Sequence, residues 1–473
     1  MLASTRATLS LPQLISALSY ALDLTEGHQM GHSVRTCIIG MRVASEIGLR
    51  NGARGDLYYA LLLKDAGCSS NASKLFHVLA GDEIRAKRDI KTTDWSKFGW
   101  EAVQYALRNV GVGSPLLSRV WRLANVAASN RTHSRDMIKI RCERGASVAR
   151  KIGLSQRTAE GIHGLDEHWD GRGYPMGLRG TEIPLLSRIM NLAQTLDVFR
   201  QERGEAAAME TAERRSRSWF DPSLVKAARS LHRRGALFEG LDAADLKSRV
   251  MAMEPDGSEL PADDCTLDQV CEAFAEVIDA KSPFTYRHSA GVAQAAVTIA
   301  QRIGMDSGTV AMIRHAALLH DVGKLSVPNS ILEKPGKLDS HEWDVVKLHP
   351  YYTLEILRRV GGFGDIAEVA AAHHEKLDGS GYFRNLTAAT LSLPARILVV
   401  ADIYDALAAD RPYRGGLDPD TVFGILRKEA PHALDANCVE ALAMSVEPTS
   451  VQLARLNEAL GESVPQIAPM AAA

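Results

Sequence analysis

The sequence has few aromatic residues, no closely paired cysteines and almost no net charge. Aromatic residues make up 6% of its 473 residues, whereas 46% are hydrophobic and Ala and Leu are abundant, which favours helices over sheets. The six cysteines form no CxxC pair, so we expect free thiols in a reducing compartment rather than a disulfide framework. A formal net charge of -2 provides no basic field, which argues against bulk nucleic acid as a partner.

The chain also lacks a hydrophobic run suited to a membrane. Its most apolar window, 391–409, contains Pro394, Arg396, Asp402 and Asp405, and charges of this kind disfavour a membrane span. The N-terminus lacks the basic start, the uninterrupted apolar run and the small-residue cleavage site that are typical of a signal peptide. We therefore expect a cytoplasmic protein without a membrane partner and, at this length, two domains.

One short stretch in the second half concentrates the chemistry. Residues 318–324 place His320 and Asp321 directly after an apolar helix, with Lys324 one turn further on. A buried histidine beside a buried aspartate is costly unless a metal or another partner satisfies the pair. The same half supplies further residues of this type, which are His288, His349, His373, His374 and Asp402.

Helical periodicity places three of these histidines, His288, His320 and His373, on apolar faces. His288, for example, is followed by Val292 and Ile299 at intervals of four and eleven residues. Any one histidine can be a core residue bonded to a backbone carbonyl. Burying all seven metal-type residues in one half is hard to stabilise without a cation, so the pattern predicts a metal centre.

The second half is an imperfect repeat of the first. His32 and His288 are 256 positions apart, as are the segments 60–68 and 316–324, whereas the segments 170–174 and 378–382 are 208 positions apart. Constant offsets indicate an internal duplication. Because the two offsets differ by 48, the first copy contains an insertion of about that size between Cys68 and Arg141.

The first copy has lost most of the metal-type residues. Only His32 and Asp65 remain, and a cation at position 64 or 141 repels a divalent ion. We therefore predict a degenerate copy that keeps its fold and has a structural or regulatory role. At the positions of His320, His349, His373, His374, Asp402 and Lys324 it carries Lys64, Arg141, Leu165, Asp166, Gln194 and Cys68.

The ends of the two copies are also visible. Each copy closes with a helix that an aspartate opens in an N-cap position, Asp221 in the first and Asp435 in the second. Proline, glycine and aspartate around residues 254–264 indicate a linker. The predicted organisation is a degenerate domain at 1–235, a linker at 236–264, a catalytic domain at 265–465 and a disordered tail at 466–473.

The order and spacing of the motifs between about residues 280 and 414 resemble the HD-GYP family of metal-dependent phosphodiesterases. The resemblance implies an all-α chain of two tandem HD-type helical-bundle domains, the second of them catalytic. The first copy retains the tripeptide that names the family at 173–175, but the second copy reads Gly381-Tyr382-Phe383. Phenylalanine does not fix the backbone as proline does, so the substrate choice and partner contacts of this loop stay open.

The resemblance also implies roles for the metal-type residues. Some family members bind a third ion through a glutamate four residues before the first histidine; this chain has Phe284 there, so we expect two ions. Histidines with carboxylates suit divalent transition ions, Fe or Mn, better than Mg or Ca. Asp321 would bridge the two ions, one completed by His288, His320 and Asp402 and the other by His349, His373 and His374.

The implied reaction is phosphodiester hydrolysis by a hydroxide that bridges the two ions. Lys324 would act beside Asp321 on a phosphate oxygen, and Tyr382 would line the substrate pocket. Arg411 and Arg414 match family residues that contact substrate phosphates. Each of these roles has a structural alternative. Lys324 can be a solvated lysine, Tyr382 a core residue, and the two arginines ordinary surface residues.

The leading predicted function is hydrolysis of the bacterial second messenger cyclic di-GMP to pGpG or GMP. One alternative is phosphohydrolysis of another nucleotide, because the wider HD superfamily shares the His-Asp core. Another is a signalling module that binds a nucleotide or partner without turnover. The expected partners are a cyclic dinucleotide and signalling proteins, and the sequence indicates no particular oligomeric state.

Overall fold

The computed structural model describes residues 10–50, 52–93, 100–112, 115–255, 264–285, 287–410 and 415–446. Within these ranges the regular structure is helical, and the only β pairing consists of isolated bridges such as that between Asp170 and Arg179. The predicted all-α fold is confirmed. No helix in the described ranges combines the length and apolarity needed to cross a bilayer.

Eleven α-helices precede residue 252 in the described part of the chain. They are α1 (Leu11–Thr25), α2 (His32–Glu46), α3 (Gly52–Leu63), α4 (Ala72–Leu79), α5 (Glu83–Thr92), α6 (Trp100–Asn109), α7 (Leu116–Lys151), α8 (Gln156–His163), α9 (Leu185–Arg214), α10 (Pro222–Arg233) and α11 (Leu246–Met251). The interval between Cys68 and Arg141, in which the insertion is predicted, contains α4, α5, α6 and most of α7. Helix α9 is interrupted at Gly204, whose φ of 86° lies outside the helical region.

The second copy follows with ten α-helices in the described residues. They are α12 (Asp264–Asp279), α13 (His288–Ile303), α14 (Ser307–Leu319), α15 (Asn329–Leu332), α16 (Ser340–Lys347), α17 (His349–Leu357), α18 (Gly364–Ala370), α19 (Leu393–Ala408), α20 (Pro419–Glu429) and α21 (Ala436–Val446). Short 3₁₀ helices at Cys68–Asn71 and Val322–Ser326 occupy equivalent places in the two copies.

Local sequence explains where several helices begin. The side chain of Asp82 accepts hydrogen bonds from the backbone N–H groups of Ile84 and Arg85 at the start of α5. The predicted N-cap Asp221 accepts one from Ser223 at the start of α10. Such carboxylates satisfy N–H groups that have no partner inside the helix.

The repeat predicted from the offsets is visible in equivalent hydrogen bonds. Asp23 accepts bonds from the backbone N–H and the hydroxyl of Ser33 at 2.9 and 2.7 Å. Asp279 accepts the same two bonds from Ser289 at 3.3 and 2.7 Å. Burial raises the pKa of both carboxyl groups to about 6. Each aspartate thus fixes the start of the helix that carries His32 or His288.

The chain divides into two compact units. The larger comprises Met1–Ala290 and His315–Ala371, and the smaller comprises Gly291–Arg314 and Ala372–Ala473. These limits differ from the predicted domain boundaries, which remain a prediction. Within the stretch expected to be a linker, Leu237 and Val250 are buried and α11 packs against α2, so its first part is folded. The predicted tail lies outside the described residues.

Candidate metal centre

Asp321 lies at the centre of a buried histidine cluster in the larger unit. Its Oδ2 atom is 3.3 Å from Nε2 of His320 and 3.9 Å from Nε2 of His288. Its Oδ1 atom is 3.5 Å from Nε2 of His349. Two histidines therefore face one carboxylate oxygen and a third faces the other, an arrangement suited to a carboxylate that bridges two cations.

Two backbone carbonyls determine which ring nitrogen of His320 and of His349 faces Asp321. Nδ1 of His320 donates a hydrogen bond to the carbonyl of Ala317, and Nδ1 of His349 donates one to the carbonyl of Val346, both at 2.7 Å. In a neutral imidazole this leaves Nε2 as an acceptor aimed at the Asp321 carboxylate. Acceptors facing a carboxylate repel it, whereas a divalent cation between them would bind to both. The residues therefore fit a metal centre.

A glycine allows this close arrangement. A Cβ atom at Gly323 would overlap the carbonyl oxygen of His349 at the start of α17. The hydroxyl of Thr353 donates to the carbonyl of His320 at 2.8 Å and accepts from the N–H of Gly323 at 3.1 Å. In the first copy a Cβ atom at Gly67 would overlap the carbonyl of Arg141 in the same way. The duplication thus preserves the backbone scaffold even where the ligands differ.

The smaller unit carries the other predicted metal ligands. His373 is buried and Asp402 is 7% exposed. Nδ1 of His374 lies 3.8 Å from Oδ2 of Asp402. The ring centroids of His373 and His374 are 4.1 Å apart, and that of Tyr382 is 4.8 Å from His374. The smaller unit therefore brings together two histidines, a carboxylate and the predicted pocket tyrosine.

A buried glutamate holds the loop that carries Tyr382. Glu375 is 0% exposed, and its two oxygens accept hydrogen bonds at 2.8 Å from the backbone N–H groups of Arg384 and Leu386. In the first copy Glu167 accepts three such bonds, from residues 176, 177 and 178, at 2.6 to 3.1 Å. Carboxylates that accept several backbone bonds fix loop conformation. Glu375 is absent from the site residues predicted from the sequence, although the offset of 208 that links the two copies pairs it with Glu167.

The first copy fills the equivalent of the Asp321 site with its own cations. Lys64 forms a buried ion pair with Asp65, the counterpart of Asp321. Lys91 from the insertion places Nζ 2.9 Å from Oε2 of Glu26 and 3.4 Å from Oδ1 of Asp65. Burial opposes ionisation of Glu26, but the ammonium groups of Lys91 and Lys87 hold its pKa well below the ordinary value.

Other first-copy counterparts of the metal-type residues form ion pairs and hydrogen bonds with neighbouring side chains. Arg141 pairs with Asp166, where the second copy has His349 and His374. Nδ1 of His32 lies 2.8 Å from Asp197, and burial lowers the pKa of His32 well below the ordinary range, so its ring is neutral. Glu26, Asp65 and Cys68 have ligand-type atoms close together, but the lysine ammonium groups compensate the charge there.

The predicted substrate-binding residues have different outcomes. Lys324 places its ammonium 2.5 Å from Oδ2 of Asp321, so this lysine bonds to the cluster itself. Tyr382 lies beside His374. Arg411 and Arg414 fall outside the described residues. Their assignment as substrate ligands, like that of the seven metal ligands, remains a prediction.

Comparison with known proteins places this arrangement among the HD domains. The HD domain family matches residues 106–224 and 272–438, one segment in each copy. The 3'3'-cGAMP-specific phosphodiesterase 3 of Vibrio cholerae is 41% identical over 435 residues, which cover 92% of this chain and 94% of that protein. A crystal structure of a cyclic GMP-AMP specific phosphodiesterase of V. cholerae is 38% identical to this chain and has a TM-score of 0.64. The match covers 93% of this chain and 98% of the chain in that crystal structure.

A second kind of relative matches a shorter part of the chain. The cyclic di-GMP phosphodiesterase response regulator RpfG of Xanthomonas campestris is 35% identical over 209 residues. That match covers 42% of this chain and 52% of the relative. Proteins named for two different cyclic dinucleotides are therefore similar to this chain, one of them along almost its whole length.

Proposed function

This chain belongs to the HD domain family and is a phosphodiesterase of the HD-GYP type, and from that premise we propose that it hydrolyses 3'3'-cGAMP in a metal centre of its second copy. The observation that carries the proposal is the Asp321 carboxylate, which has His288 and His320 at one oxygen and His349 at the other. The whole-length similarity to a 3'3'-cGAMP-specific phosphodiesterase supports the choice of substrate.

The family is metal-dependent, and we propose two divalent ions, Fe or Mn, on the ligands His288, His320, Asp321, His349, His373, His374 and Asp402. Bound ions of this type act as Lewis acids and lower the pKa of a coordinated water. The chain's own contribution is to hold the ligands in fixed positions. The Nδ1 bonds of His320 and His349 set the ring orientations, and the Glu375 bonds set the loop that carries Tyr382.

Lys324 has a defined part in this proposal. Its ammonium lies against Asp321 in the described structure and is 20% exposed at the side chain. An ammonium in this place can turn from the carboxylate to a non-bridging phosphate oxygen when substrate binds. Lys324 would thus balance the carboxylate charge before binding and contact the phosphate afterwards.

Hydrolysis of cyclic di-GMP is the second candidate. The similarity to RpfG supports it, and the same carboxylate and histidines would serve either phosphodiester. The two substrates differ in one base, so the choice depends on groups around the base rather than on the metal ligands.

The test is product chromatography with purified protein loaded with Mn²⁺, supplied separately with 3'3'-cGAMP and cyclic di-GMP. We expect a higher kcat/KM for 3'3'-cGAMP and no linear product from a His373→Ala, His374→Ala variant. Faster turnover of cyclic di-GMP would favour the second candidate. Failure to retain Mn²⁺, measured by elemental analysis, would contradict the metal centre.

The Glu375 loop gives a separate prediction with a matched control inside the same chain. Glu375→Gln removes an acceptor for one backbone N–H, so we expect about 2 kcal/mol less stability and roughly a tenfold higher KM as the Tyr382 loop loosens. Glu167→Gln makes the equivalent change in the first copy and should lower stability similarly without changing KM. Urea unfolding and steady-state kinetics on both variants measure these effects. An equal rise in KM for both variants would contradict a local role of the second-copy loop.

A further inference from the structure

Helix α5 of the insertion has a buried stripe of charged side chains. Glu83, Lys87 and Lys91 are spaced four residues apart and therefore share one face of the helix. Glu83 is 0% exposed and Lys87 is 5% exposed. A stripe of this kind is costly to bury unless each charge has partners. The partners of Glu83 and of the two lysines lie in different copies.

The two lysines bind the first copy. Lys87 donates hydrogen bonds to the carbonyls of Cys68 at 2.6 Å and Thr25 at 3.4 Å, and its Nζ lies 3.5 Å from Glu26. Lys91 contacts Glu26 and Asp65 at the distances given above. These bonds fix α5 against the first copy's counterpart of the Asp321 site.

Glu83 binds the second copy. Its Oε1 atom accepts a bond from Lys281 at 3.2 Å and from the backbone N–H of Asn329 at 2.9 Å. Lys281 is buried, its Nζ is 3.5 Å from the carbonyl of Leu325, and its own carbonyl accepts a 2.8 Å bond from the Asn329 side chain. These four residues therefore form one network around the Glu83 carboxylate.

The network is attached to both ends of the Asp321 cluster. Lys281 precedes His288 by seven residues, and Leu325 directly follows Lys324. Helix α1 of the first copy also packs against the 3₁₀ helix Val322–Ser326. A shift of the network would move the backbone that carries His288, Asp321 and Lys324.

We propose that Glu83 is a positioning residue for the second-copy reaction, acting through Lys281 and Asn329 on the segments that carry His288 and Asp321. The inference rests on the proposed function. It gives α5 a specific role. Its own Lys87 and Lys91 attach this helix to the degenerate copy, and its Glu83 contacts the segments of the second copy that carry the predicted metal ligands.

Three variants test the proposal: Glu83→Leu, Lys281→Met and the two combined. Each single change leaves a buried charge without its partner and should lower both stability and turnover. The double change removes both charges, and replacing a buried pair by apolar residues is close to neutral for stability. We expect its urea midpoint to lie above those of both single variants while kcat stays about tenfold lower, because the directional bonds to Asn329 and Leu325 are still missing.

A change in kcat with KM and bound Mn²⁺ within about threefold of the natural protein is the expected signature of positioning. Lys151→Met is the control, because Lys151 links the first copy to Glu276 of α12, with Nζ 2.6 Å from Oε1, rather than to these segments. It should leave kcat unchanged. Recovery of kcat together with stability in the double variant would overturn the proposal and leave a structural pair.

Amide hydrogen exchange separates this inference from the proposed function. In the double variant we expect faster exchange at residues 281–289 and 321–329 than in the natural protein, with no change in α8. This readout needs no substrate, so it applies even if neither cyclic dinucleotide is hydrolysed. Unchanged exchange in both segments would overturn the positioning role.

Discussion

Asp321→Asn will reduce kcat for 3'3'-cGAMP by about 10³-fold or more, because an amide lacks the charge needed to hold the two divalent ions that we propose. Removing a residue that hydrogen-bonds to a metal ligand typically lowers metal affinity or activity about 10- to 100-fold. Removing the charge of a carboxylate that lies between three histidines should lower activity further. The isosteric amide keeps the shape of the side chain, so the fold should persist. Elemental analysis should find less bound Mn²⁺ per chain.

Asp344→Asn is the matched control for this variant. Asp344 is exposed on α16, so the same chemical change there should leave kcat and metal content within about twofold. Circular dichroism on both variants checks that the helices remain. Full turnover and full metal content in Asp321→Asn would rule out Asp321 as the bridging ligand.

Lys91→Met will lower the free energy of unfolding at pH 7 by about 3 kcal/mol, the cost expected when one partner of a buried ion pair is removed. Glu26 is 2% exposed at its side chain, and after the change it would keep Lys87, whose Nζ lies 3.5 Å from its Oε1 atom, as an ion-pair partner. Urea unfolding followed by tryptophan fluorescence measures the change. Lys139→Met removes an exposed lysine from a surface pair with Glu143 and should change stability by less than about 0.5 kcal/mol.

The pH dependence of stability tests the same interaction between Lys91 and Glu26. The folded pKa of Glu26 lies below its ordinary value of 4.5, so the unfolded chain binds more protons in the window below that pH. The stabilisation is therefore present above about pH 4.5 and is lost as the pH falls. Lys91→Met should flatten this acid limb. An unchanged limb would mean that Lys91 does not stabilise the Glu26 carboxylate.

Much of the candidate site follows from comparing the chain with itself. The offset of 256 pairs Asp65 with Asp321, and the offset of 208 pairs Glu167 with Glu375. Residues kept in both copies, such as Gly67 and Gly323, turn out to shape the backbone. Residues that differ, such as Lys64 and His320, indicate the positions that carry the predicted metal ligands. Helical periodicity then places His288, His320 and His373 inward, where they are buried.

The cations that replace the ions could be predicted only in part. Lys64 and Arg141 occupy equivalent positions to histidines, so the offsets find them. Lys91 lies in the insertion, which has no counterpart in the second copy. Glu83 and Lys281 are 198 residues apart and no local pattern links them. Such pairs depend on how helices pack, which neither spacing nor composition determines.

The stability of the two copies should depend differently on free metal ions, because Lys91 supplies in the first copy a positive charge that the proposed ions would supply in the second. A metal ion must be captured from solution, and the stability that it confers on a protein varies with its free concentration. A lysine attached to the same chain is present at a fixed effective concentration, whatever the supply. Under metal starvation the degenerate copy should therefore stay folded, with Glu83 still bonded to Lys281 and Asn329. On the proposed function, these bonds would keep the segments that carry His288 and Asp321 in place until the second copy binds ions again.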